Sequence, residues 1–247
     1  MKDFELSEEI NQAIVDGIQK GYLNYLEERG EKKEKMAVSG AYAWTKGNHI
    51  DDQVAKVAEK NDIDFYITKA GNSWEYLQFN LNSGTDKYLL IIKNSVFKKQ
   101  GPPKNFKNTN YLMQLAEINH SLFKDDEGSF INTPKKVKLE LGSAEVKEIL
   151  DDIPLKRYSR FYIITYTIDK NKLIQSIKLT IPNNENGKLI LKEIADLTNY
   201  MQTSKYEITL DSVEPIKDEL AFDDTMFSGA ETEYGFSVAK ENTEEQQ

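Results

Sequence analysis

The chain has no cysteine, so disulfides, thiolate nucleophiles, zinc ribbons and iron–sulfur clusters are all excluded. Its two histidines, His49 and His120, are too few for an imidazole-rich centre. No GxxxxGK[ST], GxGxxG or GxSxG run occurs, which removes the common nucleotide-binding and hydrolase signatures. The start, MKDFELSEEINQ, lacks a signal-like apolar core, and no stretch approaches the roughly 20 apolar residues that cross a bilayer. A cytoplasmic protein without membrane contact, bound cofactor or dedicated metal site is the expectation.

What is present is charge: 30% of the 247 residues are Asp, Glu, Lys or Arg, against 39% apolar. The net charge of −9 is unevenly spread. From Asp211 onward there are eleven acids and two lysines, so the last stretch carries the whole imbalance and the body is neutral. Residues 211–247 are sparse in apolar residues except for isolated Phe222, Met226, Phe227, Tyr234 and Phe236. Such a stretch buries too little surface to fold alone, and spaced aromatics in an acidic field suit docking to a protein partner. The region is read as a flexible acidic tail.

Periodicity supports an α+β fold. Ser7 caps a helix over 7–28, whose stripe is Ile10, Ile14, Ile18, Tyr22, Tyr25 and Leu26. ERGEKKEKMAVSG (28–40) breaks that pattern and reads as a surface loop. A second helix runs from His49 to Lys60 with Asn48 as its cap. Strands come next on either side of Ala70–Ser73 and again in KYLLIIKN, giving an antiparallel meander. YLMQLAEINHSLF is a short helix with Leu112, Leu115, Ile118 and Leu122 on one side. KDDEGSFINTPKK links two halves. The second half contains a VKLEL strand, a helix over 143–150, and a hairpin of RFYIITYTI and KLIQSIKLTI. GKLILKEIADLTNYM is read as a helix and KYEITL as a last strand. The modules are 1–124 and 134–210, with the tail 211–247 after them.

Candidate chemistry is thin. Asp64 and Glu75 lie on successive strands in an order that suits metal-dependent phosphodiester cleavage, but Leu77 stands where that motif needs lysine. His49, Asp51 and Asp52 diverge around a helix and read as its start rather than as a ligand set. The basic stretch says more. Between Asp86 and Glu117 there is no acid, while Lys87, Lys93, Lys98, Lys99, Lys104 and Lys107 interleave with Phe97, Phe106 and Tyr111. Lysines with nearby aromatics suit phosphate neutralisation and base stacking, so Lys93, Lys98, Lys99, Lys104 and Lys107 are candidate nucleic-acid contacts. Trp44 and Trp74 flank the hairpin as candidate partner-binding residues.

FYITKAGNSWEYLQF, NYLMQLAEINHSLF and FYIITYTIDKNKLIQSIKLTIPN resemble an uncharacterised family of bacterial and prophage proteins. Its members share a Trp-Glu hairpin, a basic loop with a helix, and a second module with a strand hairpin. The resemblance spans residues 44–182 and implies a phage or mobile-element conflict setting, without functional residues to carry over. The expected function is a non-catalytic binding or regulatory protein using the lysine loop and acidic tail. The alternatives are a metal-dependent nuclease or toxin-like effector, and a phage-encoded inhibitor whose acidic end imitates nucleic acid.

Overall fold

A computed structural model describes residues 4–70, 74–83, 86–95, 111–124, 129–130, 158–185 and 188–219. The first helix, α1, is Glu8–Lys35. The Ser7 hydroxyl caps it by accepting from Ile10 N–H at 3.3 Å, and Glu8 and Glu9 sit at the positive end of its dipole. Ile14, Ile18, Tyr22, Tyr25 and Leu26 are buried along one side, as the spacing predicts.

The helix does not stop at Glu28. It continues through Lys35, so the expected loop over 28–40 is corrected to helix for most of its length. The added turns carry Lys32, Lys33 and Lys35 at the negative end of the dipole, and Lys35 pairs with Glu31 at 2.7 Å. Arg29 is buried there against Glu219, a partner with no local signature in sequence.

After a 3₁₀ turn at Gly40–Thr45, α2 runs over Lys46–Lys60. Thr45, not Asn48, therefore occupies the cap position. The two helices cross closely because α1 presents Gly17 and Gly21 to α2. A Cβ at Gly21 would lie 2.5 Å from Ile50 Cα.

Strands β1 (Asp64–Ala70), β2 (Trp74–Ser83) and β3 (Asp86–Asn94) form the expected meander. Next come α3 (Tyr111–Ala116) with a 3₁₀ extension over Glu117–Leu122, and a two-residue ladder of β4 (Phe123–Lys124) with β5 (Ser129–Phe130). Strands β6 (Arg160–Ile168), β7 (Ile174–Glu185) and β8 (Lys188–Asp196) complete the architecture. Among the described residues six strands form one sheet in the order β1-β2-β3-β6-β7-β8. β3 pairs with β6 in parallel and every other neighbouring pair is antiparallel. Each sequence module thus supplies three strands to a common sheet, and the fold is α+β. The expected strand 137–141 and helix 143–150 lie outside the described residues.

Two expected elements are corrected. Residues 188–196 form β8 rather than a helix. The register shifts from Thr180↔Glu193 to Leu179↔Ala195, leaving Ile194 as an extra residue in a β-bulge. The bulge breaks the two-residue alternation and gives LILKEIA a helical look. KYEITL enters no strand: it leads to α4 (Leu210–Val213), which Thr209 caps through a reciprocal hydrogen bond with Ser212.

The sheet is apolar on both faces. Phe79, Leu81, Leu90, Tyr162, Ile164, Ile177, Leu179 and Ile181 pack beneath α1 and α2. Tyr76, Leu89, Ile91, Phe161 and Ile163 pack with Tyr111, Leu112, Leu115 and Ile118 on the opposite face. Val213 and Ile216 join the first core, so 211–219 belongs to the folded body and is not the start of a loose tail. Phe222, Met226, Phe227, Tyr234 and Phe236 lie outside the described residues. Among the described residues no helix is long and apolar enough to cross a membrane.

Candidate functional site: a cleft at a strand fork

The β2–β3 register runs from Ser83↔Asp86 to Phe79↔Leu90 and ends there among the described residues. Beyond it, Trp74–Gln78 stay with β1, while Ile91–Asn94 stay with β6. The two strands therefore part company halfway along the sheet. A continued register would set Tyr76 opposite Lys93 and Leu77 opposite Ile92.

A cleft of about 100 Å³ opens at this fork, roofed by the start of α2 and its preceding 3₁₀ turn. Its lining includes Trp44, Gly47, Asp51, Glu75, Tyr76 and Lys93. Alternation explains the mixture of side chains. Tyr76 and Lys93 belong to the α3 face, Leu77 and Ile92 to the α1–α2 face, and the gap joins the two.

Lys93 holds its ammonium 5.5 Å from the ring centroid of Tyr76 and 5.4 Å from that of Tyr111. The rings stabilise a cation over their faces. Burial pulls the Lys93 pKa down, and the negative charge of Asp51 opposes that shift. Asp51 behaves in the reverse sense. Burial pushes its carboxyl up to about 7, against the charge of Lys93 and a hydrogen bond with the Leu77 backbone, which both favour ionisation. The residue as a whole is half-buried, and its carboxyl end is the enclosed part. The Tyr76 hydroxyl accepts from Gln78 Nε2 at 2.8 Å, and burial raises its pKa and that of Tyr111. Among the described residues the buried Tyr111 hydroxyl has no hydrogen-bond partner. A shifted acid and a shifted base in one cleft make it the candidate functional site.

The candidates read from sequence fall in several places. Lys93 stands apart from the loop lysines, on β3 and half-buried in the cleft. Lys98, Lys99, Lys104 and Lys107 lie outside the described residues. Of the described residues on either side of them, Asn94 lines the cleft and Tyr111 faces Lys93. Trp44 lines the cleft, and Trp74 opens β2 opposite Ala70.

Asp64 and Glu75 are not brought together. Asp64 pairs with Asn80 and Glu75 with Lys69, which sets the two acids about 17 Å apart along the hairpin. Glu75 shares the cleft with Asp51 and Lys93 instead. The other acids of the helix start disperse: His49 meets Glu28 at 2.6 Å and Asp52 meets Lys56 at 2.7 Å.

Sequence reasoning missed Tyr76 and the inward role of Asp51, and named Tyr111 only as an aromatic among the lysines. One signal was available: a lysine ending the otherwise apolar run LLIIK, a costly place for a charge unless something receives it.

Residues 3–225 match the profile described as "Family of unknown function (DUF5986)". The chain belongs to this family. No curated protein and no solved structure matches it. Membership agrees with the resemblance noted in the sequence, which also pointed to a family without assigned activity.

Proposed function

We propose that this member of the family is a non-catalytic binding or regulatory protein that takes single-stranded nucleic acid at the forked cleft, in a phage or mobile-element setting. The observation that carries the reading is that the residues on either side of the acid-free, lysine-rich segment stand at the cleft: Lys93 and Asn94 line it, and Tyr111 faces Lys93. Lys98, Lys99, Lys104 and Lys107 would neutralise phosphates, while the aromatic walls receive a base.

The test is fluorescence anisotropy of labelled single-stranded DNA and RNA across a salt series. Affinity should fall steeply with salt, and reversing the four loop lysines to glutamate should flatten the slope by roughly 3. No binding at low salt overturns the reading. It would point instead to a protein partner docking on Trp44, Trp74 and the residues beyond Glu219.

A second reading, metal-dependent phosphodiester cleavage, is favoured by one specific observation. Glu75, Asp51 and Lys93 come from three different elements to one cleft. One or two carboxylates plus substrate phosphates are what Mg²⁺ ordinarily uses. Incubating single- and double-stranded substrates with Mg²⁺ or Mn²⁺, with Glu75→Gln as control, distinguishes an enzyme from a binder.

A further inference from the structure

We propose that the forked cleft is a base-specific subsite for one unpaired guanine. This rests on the nucleic-acid reading above and adds the identity of the group that enters.

Size sets the first limit. About 100 Å³ is well below the roughly 300–1,000 Å³ of sites for larger ligands, so the cleft admits one flat ring system and not a base pair. A base reaches it only when splayed from a single strand or a chain end. The walls suit such a ring, because Trp44, Tyr76 and Tyr166 all contribute to the lining.

Charge sets the second limit. Asp51 and Glu75 are balanced there by Lys46 and Lys93. A phosphate dianion gains little from a lining with two carboxylates, whereas a neutral ring with a mixed polar edge is well matched.

Hydrogen-bond polarity chooses the base. Above about pH 7, where Asp51 is ionised, its carboxylate only accepts, and the Lys93 ammonium only donates. The Watson–Crick edge of guanine offers one acceptor, O6, beside two donors, N1–H and the N2 amino group. Asp51 would take both donors while Lys93 reaches O6. Adenine and cytosine place an amino donor where Lys93 needs an acceptor, and uracil offers Asp51 a single donor. The Leu77 hydrogen bond uses only part of the accepting capacity of Asp51.

The test is calorimetric titration with GMP, AMP, CMP, UMP and XMP, alongside salt-dependent binding of oligo(dT). GMP should bind tighter than AMP or CMP by roughly tenfold or more, the range of a good bidentate base contact. Asp51→Asn should lose GMP and gain XMP, because the amide donates to the carbonyl that replaces the amino group. A merely structural aspartate would not produce that exchange. Gly47→Leu supplies a variant on the rim, since a Cβ there meets nothing within 4 Å. It should block GMP and leave the denaturation midpoint in place.

Equal affinity for GMP and AMP overturns the guanine assignment, as does GMP binding indifferent to both variants. Oligo(dT) binding without any GMP binding sinks the subsite while the nucleic-acid reading stands. Absence of both sinks the two together.

Discussion

The ammonium of Lys93 lies 5.4 Å from the ring centroid of Tyr111, across the point where β2 and β3 separate. Lys93 stands one residue before the end of β3 and Tyr111 begins α3. Their contact places a lysine at the end of the apolar run LLIIK. Opposite them Asp51 descends from α2, held there by the close crossing of α1.

The first prediction concerns pH. Asp51 keeps its proton up to about 7 in the folded chain, against 3.8 for an ordinary aspartate. Between those values the folded state holds a proton that the unfolded chain has released. Stability therefore falls as pH rises through this window, and the loss is complete above about 7. Lys93, Glu75, Tyr76 and Lys46 share the cleft with this carboxyl, and Tyr111 also feels its charge. Lys93 acts in the opposite sense at alkaline pH: its lowered pKa lets stability rise as pH approaches the ordinary lysine value of 10.5. Urea denaturation at pH 5, 6, 7 and 8 should show a decline in the wild type, with a ceiling of about 3 kcal/mol. Asp51→Asn should flatten it. An equal slope in both proteins would remove Asp51 as the cause.

Much of the body was legible in sequence because its causes are local. The stripe of α1, the Ser7 cap and the Asp169–Lys172 turn are all readable within a few residues. In that turn Asp169 Oδ1 accepts from the backbone of Asn171 and Leu173, and Lys172 takes a positive φ of 65°. The features that were not legible depend on distant partners. Arg29 looked like a loop charge because Glu219 is far along the chain. β8 looked helical because its bulge is defined against β7. The fork could not be read at all, since it exists only because β6 inserts beside β3. That insertion also explains why Lys93 was grouped with the loop lysines and Asp51 with the helix start.

Helix spacing gives the second prediction. A Cβ at Gly21 would meet Ile50 Cα at 2.5 Å and His49 O at 2.6 Å, both backbone atoms that cannot rotate away. Gly21→Ala must push α2 outward, at a cost of about 2–3 kcal/mol. Because α2 carries Asp51, the same change should weaken binding in the cleft. Gly40→Ala, with nothing within 4 Å, is the matched control and should leave the denaturation midpoint nearly unchanged. Similar midpoints for the two variants would show that the crossing is less tight than these distances state.

The third prediction rests on Asn119, a fully buried side chain in the 3₁₀ extension of α3. Its amide donates at 2.8 Å to both Phe161 O and Pro182 O, and its oxygen accepts from Phe161 N–H at 2.8 Å. It bridges β6 and β7 where Pro182 has no N–H to offer the ladder. Asn119→Ala strands three buried backbone groups and should cost about 3–4 kcal/mol, read as a lower Tm. Asn119→Asp keeps the acceptor, places a carboxylate against two carbonyls, and should do no better. A near-native Tm for both would mean that water replaces the side chain.

The last prediction separates residues 211–219, which pack on the body, from the acidic residues 220–247. Arg29 and Glu219 meet at 2.6 Å, with side-chain exposures of 5% and 11%. Lys172 Nζ donates to Glu219 O, and Lys33 Nζ donates to Pro215 O, each at 2.8 Å. Pro215 also lies within 3.1 Å of where a Cβ on Gly30 would be, so the segment sits tightly on α1. Arg29→Met removes the guanidinium that faces the Glu219 carboxylate and should cost about 3–5 kcal/mol. Arg29→Met with Glu219→Leu removes both charges and should recover most of that loss. Deleting 211–247 strips Val213 and Ile216 from the core as well, so it should destabilise the protein more than deleting 220–247, which keeps these contacts. A test of the acidic tail in polyanion binding must therefore cut after Glu219. Equal denaturation midpoints for the two deletions would show that 211–219 contributes nothing to the body, and the Arg29–Glu219 clamp would lose its role.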